Sequence, residues 1–321
     1  MKKNISKLTN ILLPLLLGVF LVYYAYSQFT DQQIEEMKSQ FRDANYNYIL
    51  ISSFFSLLSL WARAYRWKYA LNYMGHPVST STNFMAISIG YLLNLTVPRS
   101  GEVSRAIVLQ KYEKVPFDKG FGSIVSERVI DLICLLICVL AALLLQYQVL
   151  RDFLLAKVPV EKLAILGTIA LTGFLVVVAI FYYSKWRVIL FIKQKVKGLT
   201  EGAISIFKMP HRAGFLFHTF LIWFGYIATF YFGTHALAST STLSFPIVMS
   251  AFVAGSFAVS FTNGGFGAFP LIIAELLSLY GISAVAGTAF GWILWTTQTA
   301  IVVVLGALSF LILPLYYNNK K

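Results

Sequence analysis

Apolar residues gather along this chain into runs of membrane-crossing length. A hydrocarbon core of about 30 Å is spanned by about 20 mainly apolar residues in a helix. Runs of this kind occur at 11–29, 46–62, 122–147, 163–183, 213–237 and 284–313. Two further apolar stretches are broken. Residues 83–97 end at Pro98-Arg99-Ser100-Gly101, and 245–280 are interrupted by Asn263-Gly264-Gly265-Phe266-Gly267. The pattern predicts an all-α integral membrane protein with about six full spans plus two re-entrant or broken hairpins, forming one polytopic domain over 1–321. The run at 11–29 follows Lys2, Lys3 and Lys7, but it is too long for a signal-peptide core. Tyr23-Tyr24-Ala25-Tyr26 also lacks a small-residue cleavage pattern, so a retained anchor is expected.

Composition agrees with this pattern. Hydrophobic residues make up 58% and charged residues only 12%, with a mean hydropathy of +0.72. Soluble domains carry about 25% charged residues. A water-soluble enzyme, a nucleic-acid-binding domain and a disordered chain are all excluded, despite 26 Lys+Arg against 13 Asp+Glu. The placement of the cations carries the information. Segments 1–10, 61–82, 98–121, 184–212 and 314–321 hold twenty Lys/Arg, whereas 30–45, 148–162 and 238–244 hold five. By the positive-inside rule, a multi-pass protein of the cytoplasmic (inner) cell membrane is expected, with both termini cytoplasmic.

That orientation constrains the broken stretches. Segments 61–82 and 98–121 are both basic, so 83–97 cannot be a single crossing. A re-entrant hairpin, with 102–112 returning, places both on one side. Non-helical backbone at membrane depth needs protein or a water-filled cavity around it, so a polar cavity is expected at the break. If 245–280 behaves alike, a helix, a hairpin and a helix over 46–147 recur over 213–313 in opposite orientation. That is an inverted repeat, a common plan of secondary transporters. Two full crossings at 245–280 also satisfy the loop charges. Segment 184–212 interleaves Trp186, Ile189 and Leu190 with Lys185, Arg187 and Lys193. It reads either as an interfacial amphipathic helix or as a solvated basic loop.

Charged residues inside the apolar runs are the candidate chemistry. An ionised side chain at mid-bilayer costs about 2.5–3.5 kcal/mol on insertion scales, so such residues pair and face the bundle interior. Glu127 and Asp131 are four apart and share a helix face, with Arg128 adjacent. They form either a cavity wall or a structural ion pair near the interface. Arg99, Glu102 and Arg105 flank the first break. Arginines there suit a phosphate, whose oxygens match the planar guanidinium fork, although interfacial snorkelling explains them too. Asn263, Gly264, Gly265 and Gly267 permit close backbone approach to a ligand or to another helix. Glu275 reads as a lone buried acid, either a proton or cation site or one member of an ion pair. His218 and His235 read as hydrogen-bonded helix residues, and Cys134 and Cys138 as small apolar ones.

The order Asn94-Leu-Thr-Val-Pro98-Arg99-Ser-Gly101-Glu102-Val-Ser-Arg105, then Val115-Pro116-Phe117, then Ser126-Glu127-Arg128-Val-Ile-Asp131 resembles the flippase-like family related to the transmembrane domain of lysylphosphatidylglycerol synthase. Gly264-Gly265-Phe266-Gly267 is similar to that family's second hairpin. The resemblance implies a domain that moves polar-headed lipids between leaflets. Two departures bear on the headgroup: Asn263 precedes the glycine pair where the family often has proline, with Ala268-Phe269-Pro270 following. Trp292 and Trp295 also occupy a span where the family often carries arginine. The chain stops at Asn318-Asn319-Lys320-Lys321, so the synthase's catalytic domain is expected to be absent.

The expected function is a lipid translocase handling a polar or anionic headgroup. Arg99, Arg105 and Arg128 would bind phosphate, with Glu102, Glu127 and Asp131 orienting them. No cofactor and no metal site is expected, and membrane lipids are the expected partners. Two alternatives stay open. One is a membrane-embedded enzyme acting on a lipid-linked phosphate. The other is an accessory subunit to a lipid- or glycan-synthesis enzyme.

Overall fold

A computed structural model describes residues 29–97, 100–147, 209–262 and 264–318, with a few isolated positions elsewhere. The expected spans at 11–29 and 163–183, most of segment 184–212, and Pro98, Arg99 and Asn263 lie outside the described residues. The described chain is all helical: α1 (Asp31–Arg42), α2 (Tyr46–Tyr73), α3 (Thr80–Thr96), α4 (Ser100–Glu113), α5 (Phe117–Leu145), α6 (Arg212–Thr234), α7 (Phe245–Phe261), α8 (Ala268–Ser278) and α9 (Ala284–Asn318). Of these, α2, α5, α6 and α9 are long and apolar enough to cross a membrane.

The two broken stretches are helical hairpins. At about 1.5 Å per residue, the 17 residues of α7 reach about 25 Å and the 11 of α8 about 16 Å. Both fall short of about 30 Å, and neither is among the helices long and apolar enough to cross a membrane by themselves. The turn between α7 and α8 depends on Gly264, Gly265 and Gly267, with φ of 66°, 81° and 71°, a region that L residues with a Cβ rarely enter. One boundary differs from the sequence reading. The helix expected to end at residue 62 continues to Tyr73, so Arg63, Arg66 and Lys68 are helical residues and not loop cations.

α2 and α6 pack antiparallel along their length. Asn45 N–H donates to Ala236 O (2.7 Å), Ser52 Oγ to Thr229 O (2.8 Å) and Ser59 Oγ to Ile222 O (3.1 Å), so position falls along one helix as it rises along the other. Hydroxyls that bond across to main-chain carbonyls draw the two backbones together. Around this pair the packing recurs: α3 lies on α4, α4 on α5 and α3 on α9, just as α7 lies on α8, α8 on α9 and α7 on α5. Each set has its own apolar core, one around Trp67, Leu71 and Leu109 and the other around Phe252, Ile273 and Phe290. Corresponding helices also start at nearly constant separation. Tyr46 and Arg212, Thr80 and Phe245, Ser100 and Ala268, and Phe117 and Ala284 are 165 to 168 residues apart.

At Gly225 of α6 an added Cβ would lie 2.9 Å from both Phe55 O and Ser59 Cβ of α2. Gly225→Ala is expected to lower stability by about 1–3 kcal/mol through overpacking. Gly122→Ala, with no atom within 4 Å, should be neutral or stabilising by up to about 1 kcal/mol. Thermal unfolding of both variants in detergent checks this pair.

Candidate functional site

Three helices of the first set bring seven ionised side chains together. On α5, Glu127 and Asp131 stand one turn apart with Arg128 beside them. On α2, Arg63 and Arg66 are three apart on the face toward α5, and α4 contributes Glu102 and Arg105 with the same spacing. Arg63 Nη1 pairs with Asp131 Oδ2 (2.8 Å), and Arg66 Nη1 pairs with Asp131 Oδ1 (2.9 Å). Arg105 Nη2 donates to Glu127 Oε2 (2.8 Å), with Arg66 Nε at 3.6 Å from Glu127 Oε1. Arg128 Nη2 pairs with Glu102 Oε1 (2.8 Å), and its Nη1 lies 3.9 Å from Asp131 Oδ2. Arg66, Arg105 and Glu127 are buried, whereas the Arg128 and Glu102 side chains keep 40% and 23% exposure.

Neutral groups hold this network in place. The Arg105 guanidinium lies 4.0 Å from the centre of the Trp67 ring, a cation–π contact. Trp67 Nε1–H in turn donates to Ser123 Oγ (2.8 Å), which donates to Gly120 O (2.6 Å). Arg63 Nη2 donates to the Tyr226 hydroxyl (3.0 Å), joining the first helix set to α6. Asn94 Oδ1 accepts from Gly101 N–H (2.7 Å), tying the end of α3 to the start of α4.

The network borders a cavity of about 970 Å³ between the two helix sets. Arg63, Tyr91, Asn94, Glu102, Arg128 and Asp131 line one side. The first set also contributes Leu95, Leu132 and Leu135, and the second set lines the cavity with uncharged residues, among them Trp223, Phe230, Phe252, Phe266, Phe269 and Trp295 beside six Ser, Thr and Gln residues. The lining follows the recurrence of the fold. Each first-set position has a lining counterpart 165 to 167 residues later: Arg63 and Thr229, Tyr91 and Ser256, Asn94 and Val259, Leu95 and Ser260, Glu102 and Phe269, Arg128 and Trp295, Asp131 and Gln298, Leu132 and Thr299, Leu135 and Val302. Counterpart positions of the two sets thus line one and the same cavity. Every ionised first-set lining residue has an uncharged counterpart.

The expected site residues fall into distinct places. Asn94, Glu102, Arg128, Asp131 and Gly264 line the cavity. Arg105 and Glu127 sit behind its wall and are engaged with each other. Gly265 and Gly267 shape the α7–α8 turn, and Gly264 O accepts from Trp295 Nε1–H (2.8 Å). Glu275 corrects the sequence reading: it is exposed. The buried face of α8 carries Phe269, Pro270, Ile273, Ala274 and Leu277, and Glu275 projects roughly opposite. Arg99 and Asn263 lie outside the described residues. His218 and His235 each bond a main-chain carbonyl one turn earlier, Gly214 O (2.8 Å) and Tyr231 O (3.0 Å).

Sequence reasoning missed Arg63, Arg66, Tyr91, Trp223 and Tyr226. A signal existed for the arginines. Apolar and aromatic residues continue through Ala64, Tyr65 and Trp67, and the three-residue spacing fits one helix face, so the run did not end at its first cation.

Breaking the buried part of the network is expected to be costly. Glu127→Gln leaves the buried Arg105 without a counter-charge, while Arg66 keeps Asp131, and should destabilise by about 3–5 kcal/mol. Glu35→Gln removes an exposed pair with Lys38 and should change stability by less than about 1 kcal/mol. Comparing unfolding midpoints of the two variants with the parent protein checks both values.

The chain matches the family described as the lysylphosphatidylglycerol synthase TM region over residues 11–315. It is also similar to the UPF0104 membrane protein MJ1595 of Methanocaldococcus jannaschii, 27% identical over 92 residues. That stretch covers 28% of this chain and 27% of the relative's length. No solved structure matches. With residues 11–315 matched, the chain belongs to the lysylphosphatidylglycerol synthase transmembrane-region family.

Proposed function

We propose that this protein receives the polar headgroup of an anionic membrane lipid in the cavity between its two helix sets and passes it between leaflets. The observation that carries this reading is the cavity's two-sided chemistry. Arg63 and Arg128 on one wall suit phosphate oxygens, and the aromatic wall opposite suits the apolar beginning of an acyl chain. Leu132 and Phe261 both line the cavity and are 53% and 82% exposed, so its rim is apolar and the chains can stay in lipid. The volume of about 970 Å³ lies at the upper end of ordinary ligand pockets, about 300–1,000 Å³.

The antiparallel pairing of α2 with α6 and the matched lining positions support an inverted repeat over 46–147 and 213–313. Such a frame lets two similar halves expose a shared site to either side in turn. Arg63, Arg66 and Arg105, counted among the loop cations, are network members. The remaining loop cations still favour cytoplasmic termini. Arg99 is a proposed lipid contact on sequence grounds, as is Asn263. A lipid- or glycan-synthesis enzyme that supplies the lipid is the proposed partner.

Movement of a headgroup-labelled anionic lipid in proteoliposomes tests the reading. The parent protein is expected to accelerate exchange over protein-free vesicles. Arg128→Gln should slow it about 10- to 100-fold, since a hydrogen bond to a charged group is worth about 1.5–3 kcal/mol. A parent rate equal to that of empty vesicles would overturn the reading.

A further inference from the structure

The charge count of the network has a consequence for the lipid. Among the described residues it contains Arg63, Arg66, Arg105 and Arg128 against Glu102, Glu127 and Asp131. Four cations face three anions, leaving one positive charge over. The surplus lies in the inner part. Arg128 and Glu102 neutralise each other at the cavity wall, while Arg63, Arg66 and Arg105 share Glu127 and Asp131. Arg63 and Asp131 connect this inner cluster to the cavity. The second helix set does not alter the count, because its lining residues are all uncharged, with Trp295 and Gln298 standing opposite Arg128 and Asp131 in the repeat.

An uncompensated charge in a low-dielectric interior is strongly unfavourable, and a counter-charge brought by a ligand relieves it. Buried network atoms without a hydrogen-bond partner among the described residues include both donors (Arg63 and Arg128 Nε–H) and acceptors (Glu102 Oε2 and Glu127 Oε1), so it is the net charge that discriminates between ligands. We propose that the cavity selects lipid headgroups carrying one net negative charge, which makes phosphodiesters without an amine its preferred class. A zwitterionic headgroup leaves the surplus in place, and a doubly charged phosphomonoester replaces it with a net negative charge. Charge decides the selection, so an alkyl phosphodiester without hydroxyls satisfies it as well as a polyol one does. This inference rests on the lipid reading above and specifies its substrate.

The test is lipid binding to the purified full chain in nanodiscs made of an uncharged detergent-like lipid, using three probes with identical acyl chains. These are phosphatidylethanol (one negative charge), phosphatidylcholine (zwitterionic) and phosphatidic acid at about pH 8.5, well above a phosphomonoester's second ionisation near 6. The parent protein is expected to bind phosphatidylethanol about tenfold more tightly than either other probe. Glu102→Gln raises the surplus by one and should move the preference to phosphatidic acid. Arg128→Gln removes the surplus and should move it to phosphatidylcholine. Both positions are partly exposed, and the parent order decides the matter even if one variant fails to fold. Equal binding of all three probes by the parent, or an unchanged order in both folded variants, overturns the charge selection and leaves lipid handling standing. Failure of all three to bind overturns both.

Discussion

Ionised side chains survive inside a hydrocarbon slab only where each finds a partner close enough to offset its lost hydration. Here that requirement joins α2, α4 and α5. Asp131 draws on arginines of two helices, and Glu127 is held by Arg105 from the first hairpin and Arg66 from α2. α5 can therefore present only one face to the bundle, and the hairpin must reach deep enough to deliver Arg105 and Glu102. The described ends of the first hairpin, Asn94 on α3 and Glu102 on α4, border the same cavity. The cavity and the ion network are two results of one electrostatic demand.

The second helix set shows what the same frame does without charges. It repeats the packing and contributes lining residues at the corresponding positions, yet it places Trp295 and Gln298 where the first set places Arg128 and Asp131. Glycines at positive φ make its turn, and Trp295 Nε1–H bonds to Gly264 O where side-chain ions secure the first hairpin. Geometry is shared between the halves and chemistry is divided.

Tyr226 links the halves directly, since its hydroxyl accepts from Arg63 while its helix pairs with α2 through Ser52, Ser59 and Thr229. Any displacement of α6 relative to α2 is thus felt at the Arg63–Asp131 pair, the point where the inner charge cluster meets the cavity.

Much of this was legible in the residues alone. The apolar runs at 46–62, 122–147, 213–237 and 284–313 located the four described helices long enough to span, because bilayer thickness converts directly into residue number. The breaks at Pro98–Gly101 and Asn263–Gly267 marked the hairpins, because proline and glycine act locally on the backbone. The four-residue spacing of Glu127 and Asp131 put them on one face for the same local reason. Tertiary structure alone decided the rest. Arg63 and Arg66 looked like loop cations because a hydropathy run stops at its first charge, and only the packing of α2 against α5 supplies the partners that keep them inside. Glu275 looked buried because its neighbours are apolar, but an 11-residue helix buries one side only. The pairing of lining positions across 165 to 167 residues left no identity between the halves to read. Equivalence there is one of position in space, and different side chains fill it.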